Sequence, residues 1–286
     1  MIGHLPRLLC ALASSMPLLL APQLASSQDQ RTTVPVPPGA NVPPGVTIQY
    51  STPPHVYPVV ILIAGGNGVL SLAARGWATE LQGNFLIRAR DRFLANDLQV
   101  IMLDAPSNFS GPNGLNGKRL TAEHADVIAA VIASVRKQNP KRPVWLVGTS
   151  AGTISVANAA VRLSGTTNGP DGIVLTSSIT VQQPADIEPN STLQPHLGII
   201  KVPTYVAWHK DDTCSRTPGT TAGGNPQAVF NALTSVAASD KDWKEFTGGI
   251  SVGNVCDAFA YHGFNGIEDD VVRNIAAFIK KHTPPP

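Results

Sequence analysis

The stretch of this sequence whose residue types and spacing most directly suggest chemistry is Gly148-Thr149-Ser150-Ala151-Gly152. It follows an apolar run, Val144 to Val147, and precedes an apolar helical pattern, so a Gly-x-Ser-x-Gly turn is expected between a strand and a helix. Such a turn holds its serine in a strained backbone conformation, and glycines two positions to either side let strand and helix approach closely. A serine hydroxyl is a weak nucleophile until a base removes its proton. Ser150 therefore needs a histidine, and the histidine needs a carboxylate to orient it. After a serine in this context the acid comes next along the chain and the histidine last. A glycine-rich turn without chemistry is the alternative reading.

Seven histidines are available. His4 lies at the N-terminus, His55 and His124 precede the serine, and His196 sits in an irregular connection. His209 ends a predicted strand and His282 is in the C-terminal tail. His262, in Tyr261-His262-Gly263-Phe264, falls between the last predicted strand and the last predicted helix, and it is the expected general base. The acid is expected after the predicted strand Thr204 to Trp208, where His209-Lys210-Asp211-Asp212 offers two neighbours. Asp212 is the expected orienting acid, with Asp211 the alternative. Charge that develops on a carbonyl oxygen during attack needs preset backbone donors. The amide of Ala151 is one, and the loop Gly65-Gly66-Asn67-Gly68 supplies another, Asn67 by position with Gly66 as the rival. The same loop lacks the third glycine of a dinucleotide fingerprint and the lysine of a P-loop, so no cofactor is expected, and no metal site either.

The elements that must position these residues alternate. Predicted strands are Val46 to Tyr50, Tyr57 to Ala64, Leu98 to Leu103, Val144 to Val147, Gly172 to Thr176, Thr204 to Trp208 and Lys244 to Ile250. Predicted helices are Trp77 to Ala95, Ala122 to Gln138 behind a Thr121 cap, Ile154 to Leu163, Pro226 to Ala238 and Glu268 to Lys281. Short apolar strands between helices imply an α/β fold, with a mostly parallel sheet covered on both faces and function on the loops at the carboxyl ends of its strands. The one long irregular connection after the nucleophile, Ser178 to Lys201, is too short for a large cap domain. Trp77, Phe109, Tyr261 and Phe264 could line an acyl pocket, but core positions are the commoner fate of such residues.

With 43% hydrophobic and 14% charged residues, the 286-residue chain can fill one sizeable core. A net charge of +2 gives no electrostatic reason to bind nucleic acid. Residues 1–27 read as a signal peptide: Arg7, apolar runs Leu8 to Ala13 and Leu18 to Ala21, then small Ala25, Ser26 and Ser27. An uncleaved anchor is the alternative. Residues 28–45, rich in proline, are expected as an extended, unpacked lead-in, and residues 46–286 as the catalytic domain. A secreted or periplasmic location follows, with no stable membrane insertion of the mature chain. Cys10 lies in the signal. Cys214 and Cys256 remain, and an even count in an oxidising compartment suggests one disulfide, the alternative being two buried thiols. That bridge would tie the acid loop to the histidine loop and stabilise the fold by roughly 2 to 4 kcal/mol.

These residues resemble the α/β-hydrolase superfamily, and more narrowly exported bacterial hydrolases of the esterase and dienelactone-hydrolase-like groups. The likeness rests on Asp104-Ala105-Pro106-Ser107, the Ser150 turn, the pair Asp212 and Cys214, and Cys256 ahead of His262-Gly263-Phe264. It implies an eight-stranded fold and hydrolysis of a small-molecule or polymeric ester through an acyl-enzyme, without a cofactor. Two departures narrow it. Ala64 and Gly65 stand where many lipases and esterases carry a histidine, and Ser150 stands where dienelactone hydrolases proper use cysteine. Amides and thioesters yield to the same triad, and a binding protein of this fold with a vestigial site is a further alternative.

Overall fold

The computed structural model describes residues 1, 28–37, 45–52, 58–74, 77–109, 111–184, 186, 189–218 and 226–283. The expected signal peptide, Met1 apart, lies outside them, as does most of the expected lead-in beyond Pro37.

The chain opens with strands β1 (Gln28–Pro35), β2 (Gly45–Thr52) and β3 (Val59–Ile63), then helices α1 (Phe85–Arg88) and α2 (Arg90–Ala95). Strand β4 (Gln99–Leu103), helix α3 (Ala122–Gln138), strand β5 (Val144–Thr149), helix α4 (Gly152–Arg162) and strand β6 (Gly172–Thr176) follow. Strand β7 (Thr204–His209), helix α5 (Pro226–Ala232), strand β8 (Lys241–Phe246) and helix α6 (Glu268–Lys281) complete it. One eight-stranded sheet runs in the order β1-β2-β4-β3-β5-β6-β7-β8. The pairs β1/β2 and β2/β4 are antiparallel, and every pair from β4 through β8 is parallel. Strand side chains alternate between faces. Ile61, Leu146, Ile173 and Val206 accordingly pack with α3, α4 and α5, while Leu62, Trp145, Val174 and Tyr205 pack with α1, α2 and α6. The sheet is thus buried on both sides, which is why its central strands are apolar throughout.

Between β6 and β7 the described residues contain no α-helix, only a 3-10 turn at Leu197–Ile199, and they form no cap domain over the carboxyl ends of the strands. Four expectations need correction. Gln28–Pro35 is not an unpacked lead-in: it pairs with β2 along its whole length and buries Val34. Helix Trp77 to Ala95 is broken, because Leu81 takes a positive φ of 52° and the Asn84 side chain caps a fresh start by accepting from the Leu86 amide at 3.1 Å. The last strand ends at Phe246 rather than Ile250, and α5 stops at Ala232 rather than Ala238.

Candidate functional site

Ser150 sits in the two-residue turn between β5 and α4 with φ at 52°. An L-residue there is strained, and the turn tolerates it because the chain on either side is packed without room for side chains. A β-carbon on Gly152 would lie 2.1 Å from the Ile63 carbonyl oxygen, and one on Gly148 would lie 2.7 Å from that of Gly152. Ser150 also donates its amide to Thr176 O at 3.0 Å, which fixes the turn to the end of β6. The loop after β3 closes on it from the other side: a β-carbon on Gly65 would stand 2.8 Å from Ser150 Cβ.

His262 lies in a 3-10 turn, Tyr261–Gly263, ahead of α6. Its Nδ1 is 3.0 Å from Asp212 Oδ2, and both side chains are buried. The structure separates the two candidate acids. Asp212 faces His262, whereas Asp211 is exposed, with His209 its neighbour at 4.0 Å. His209 is itself a structural residue, bonded to Gly248 O at 2.8 Å and stacked on Tyr261 with ring centroids 4.5 Å apart.

Two residues that the sequence did not single out complete this arrangement. The buried Thr217 hydroxyl donates to Asp212 Oδ2 at 2.8 Å and lies 3.0 Å from His262 Nδ1, where its oxygen can share the hydrogen bond of an Nδ1–H while its own hydrogen braces the carboxylate. Ser177 donates to the His262 carbonyl at 2.8 Å and anchors the histidine loop to the end of β6. Both are short hydroxyls in stretches without a motif, and only their place beside the acid and the histidine reveals them. The other Asp212 oxygen accepts the Cys214 amide at 2.9 Å. Cys214 and Cys256 form the expected disulfide, across 42 positions of sequence.

Ser150 and His262 border one cavity of about 620 Å³, with Gly66, Asn67 and Ala151 also in its wall. The Ser150 hydroxyl makes no hydrogen bond to a described residue. The amides of Gly66, Asn67 and Ala151 likewise find no acceptor among the described residues and are free for a ligand. Arg216 and Asp186, also in the wall, form a bidentate pair at 2.7 and 2.8 Å, and the hydrogen bonds from Arg216 hold the Asp186 carboxyl down to about 2. None of Trp77, Phe109, Tyr261 or Phe264 borders the cavity. Phe264 packs in the core against Phe85 at 5.0 Å, and Trp77 is exposed beside Arg90. Asp104, part of the Asp104-Ala105-Pro106-Ser107 stretch, is structural: its carboxylate accepts the amides of Leu70, Leu72 and Ala105 at 2.7 to 3.0 Å and pins the chain beyond the glycine loop. No cluster of metal-ligating side chains occurs among the described residues, and none of their helices is long and apolar enough to cross a membrane.

The family model described as "Alpha/beta hydrolase family" matches residues 60–272. The chain belongs to that family. Its solved structural relatives share the fold at low identity. A serine hydrolase without lid from Xanthomonas campestris is 15% identical with a TM-score of 0.52, over 92% of this chain and 97% of that one. Dienelactone hydrolase from Anabaena variabilis is 12% identical with a TM-score of 0.57, over 91% and 100%. A cold-adapted esterase from an Arctic intertidal metagenomic library is 14% identical with a TM-score of 0.56, over 90% and 96%. No curated protein matches the sequence. For this α/β hydrolase, the strand order and the single cavity wall shared by Ser150 and His262 agree with the family assignment.

Proposed function

We propose that this α/β hydrolase is an exported serine esterase that works through an acyl-enzyme. The observation that carries the reading is a serine held at positive φ on the wall of the cavity that also exposes a histidine braced by a buried carboxylate. In the first half-reaction His262 Nε2 takes the Ser150 hydroxyl proton as Oγ bonds to the ester carbonyl carbon. The carbonyl electron pair moves onto its oxygen, which the amides of Ala151 and Asn67 receive, with Gly66 adjacent. Collapse breaks the bond to the alkoxy group, and His262 returns the proton to the departing alcohol. Water then repeats the sequence on the acyl-serine and releases the acid. Asp212 stays ionised and holds Nδ1–H, so that Nε2 is the basic nitrogen.

The cavity wall favours small, polar esters. Asn67, Asn113, Asn116, Asn190 and Lys118 contribute to it, and among the described residues of the wall Ile179 is the one large aliphatic side chain. Burying an acyl chain gains about 0.8 kcal/mol per methylene against an apolar wall, and the amide and charged groups in this wall withhold part of that. The disulfide supports an oxidising compartment and hence export.

The test is to label the purified, oxidised protein with a fluorophosphonate, locate the adduct by peptide mass spectrometry, and then compare acetyl with octanoyl p-nitrophenyl esters. Stoichiometric modification of Ser150, lost in Ser150→Ala, and faster turnover of the acetyl ester are expected. Folded protein that takes no label sinks the esterase reading, and preference for octanoate sinks the polar-substrate reading.

A further inference from the structure

Behind the glycine loop lies a buried cation. Arg119 is 3% exposed and forms no ion pair with a described carboxylate. Its Nη1 donates to Ser155 Oγ on α4 at 2.8 Å. Its Nη2 turns to three successive main-chain carbonyls, Ala64 at 3.1 Å, Gly66 at 3.0 Å and, more loosely, Gly65 at 3.5 Å. Nε has no partner among the described residues. Burial lowers the guanidinium to about 9, so it is still protonated at neutral pH, and His124 nearby is kept uncharged. Burying a charge without a counter-ion costs several kcal/mol even after relaxation. Here the substitutes for a carboxylate are the carbonyl dipoles of a single loop.

That placement has a geometric consequence. Across a trans peptide, the carbonyl of one residue and the amide N–H of the next point in opposite directions. Holding the Gly66 carbonyl toward Arg119 turns the Asn67 N–H away from it, and holding the Gly65 carbonyl does the same for the Gly66 N–H. The Gly65 carbonyl also accepts the Gly68 amide at 3.1 Å, which closes the loop into a turn. Gly66 and Asn67 are the members of this loop that border the cavity with Ser150. A cation on the carbonyl side also polarises both peptide units and makes their N–H groups stronger donors.

We propose that Arg119 is the positioning residue of the oxyanion site: through the Ala64, Gly65 and Gly66 carbonyls it fixes the direction and strength of the Gly66 and Asn67 amides without touching substrate. The inference rests on the serine-esterase reading. It assigns to one buried side chain a part of the transition-state stabilisation, while leaving ground-state binding alone.

The experiment uses the full oxidised protein, Arg119→Gln and Arg119→Lys, with active sites counted by fluorophosphonate so that rates are per competent molecule. It reads kcat and KM on p-nitrophenyl acetate, the Kd of an alkyl boronic acid that forms a tetrahedral adduct on a serine, and the melting temperature. In Arg119→Gln, kcat is expected to fall about 10- to 100-fold, below the loss seen when an oxyanion donor is removed outright, with KM within about threefold. Boronic-acid affinity should fall by the same factor as kcat/KM. Arg119→Lys keeps the charge but reaches fewer carbonyls, so it should lie between, and it decides the question if the Gln variant does not fold. Unchanged kcat per active site in a folded variant, or a loss confined to KM with boronic-acid affinity intact, overturns the role of Arg119. Wild-type protein that neither takes label nor turns over ester overturns the esterase reading, and this inference with it.

Discussion

Replacing Cys214 and Cys256 together by alanine removes the one covalent link between the loop that carries Asp212 and the loop that carries His262. The bridge closes a loop across 42 positions, and the chain entropy it withdraws from the unfolded state is worth about 4 kcal/mol. For a chain of this size each kcal/mol moves the melting temperature by at least about 2 °C, so a fall of about 8 °C is expected. Activity should suffer separately. The Cys214 backbone amide donates to Asp212 Oδ1 at 2.9 Å; alanine keeps that amide but releases the loop that aims it, and full loss of one hydrogen bond to a charged group is worth roughly 1.5 kcal/mol, so kcat should fall by up to about tenfold. The assay is calorimetry alongside p-nitrophenyl acetate kinetics, on the double variant and on wild-type protein whose reduction has been verified by mass. A melting temperature within about 2 °C of the oxidised protein, together with an unchanged kcat, would falsify the claim that the bridge both stabilises the fold and aligns the acid with the histidine.

Two further perturbations separate structure from chemistry. Thr217→Val keeps the volume but removes the hydroxyl that donates to Asp212 at 2.8 Å, so kcat should fall roughly 5- to 10-fold, about 1 kcal/mol, with KM little changed. Unaltered kinetics in that variant would mean that Asp212 and His262 need no third partner. His124 is fully buried, both ring nitrogens lack partners among the described residues, and burial, with the Arg119 charge adding to it, lowers its pKa to about 3. The unfolded chain takes up this proton below about 6.5 while the native state waits until about 3, so the native state loses stability as pH falls through that window, by up to about 1.4 kcal/mol per unit. In His124→Leu, urea-unfolding free energies should decline less steeply between pH 6 and 4 than in wild type. Equal slopes would show that His124 is not the group responsible.

The parallel core of the sheet, the helices Ala122–Gln138 and Glu268–Lys281 to the residue and the pairing of the two bridge cysteines were all legible in the sequence, which also singled out Ser150 and His262 as neighbours of one site. These are cases where local pattern is decisive: buried central strands must be apolar, an amphipathic helix has a period, and a sharp strand-to-helix turn demands glycines. Edge elements were not legible in this way. Gln28–Pro35 is mostly polar and contains a proline, yet it becomes a strand because β2 offers it a full row of hydrogen-bond partners. Lys241–Phe246 exposes half of its side chains and buries only Phe246, and its register comes from β7 rather than from an apolar run of its own. Between Asp211 and Asp212 the sequence favoured the second without excluding the first, and the tertiary structure aims Asp212 inward at His262 and leaves Asp211 exposed. It also brought Thr217, Ser177 and Arg119 to the site. None of the three sits in a motif, and each bonds to groups distant in sequence, so its place at the site exists only once the loops at the carboxyl ends of the strands have been brought together around Ser150.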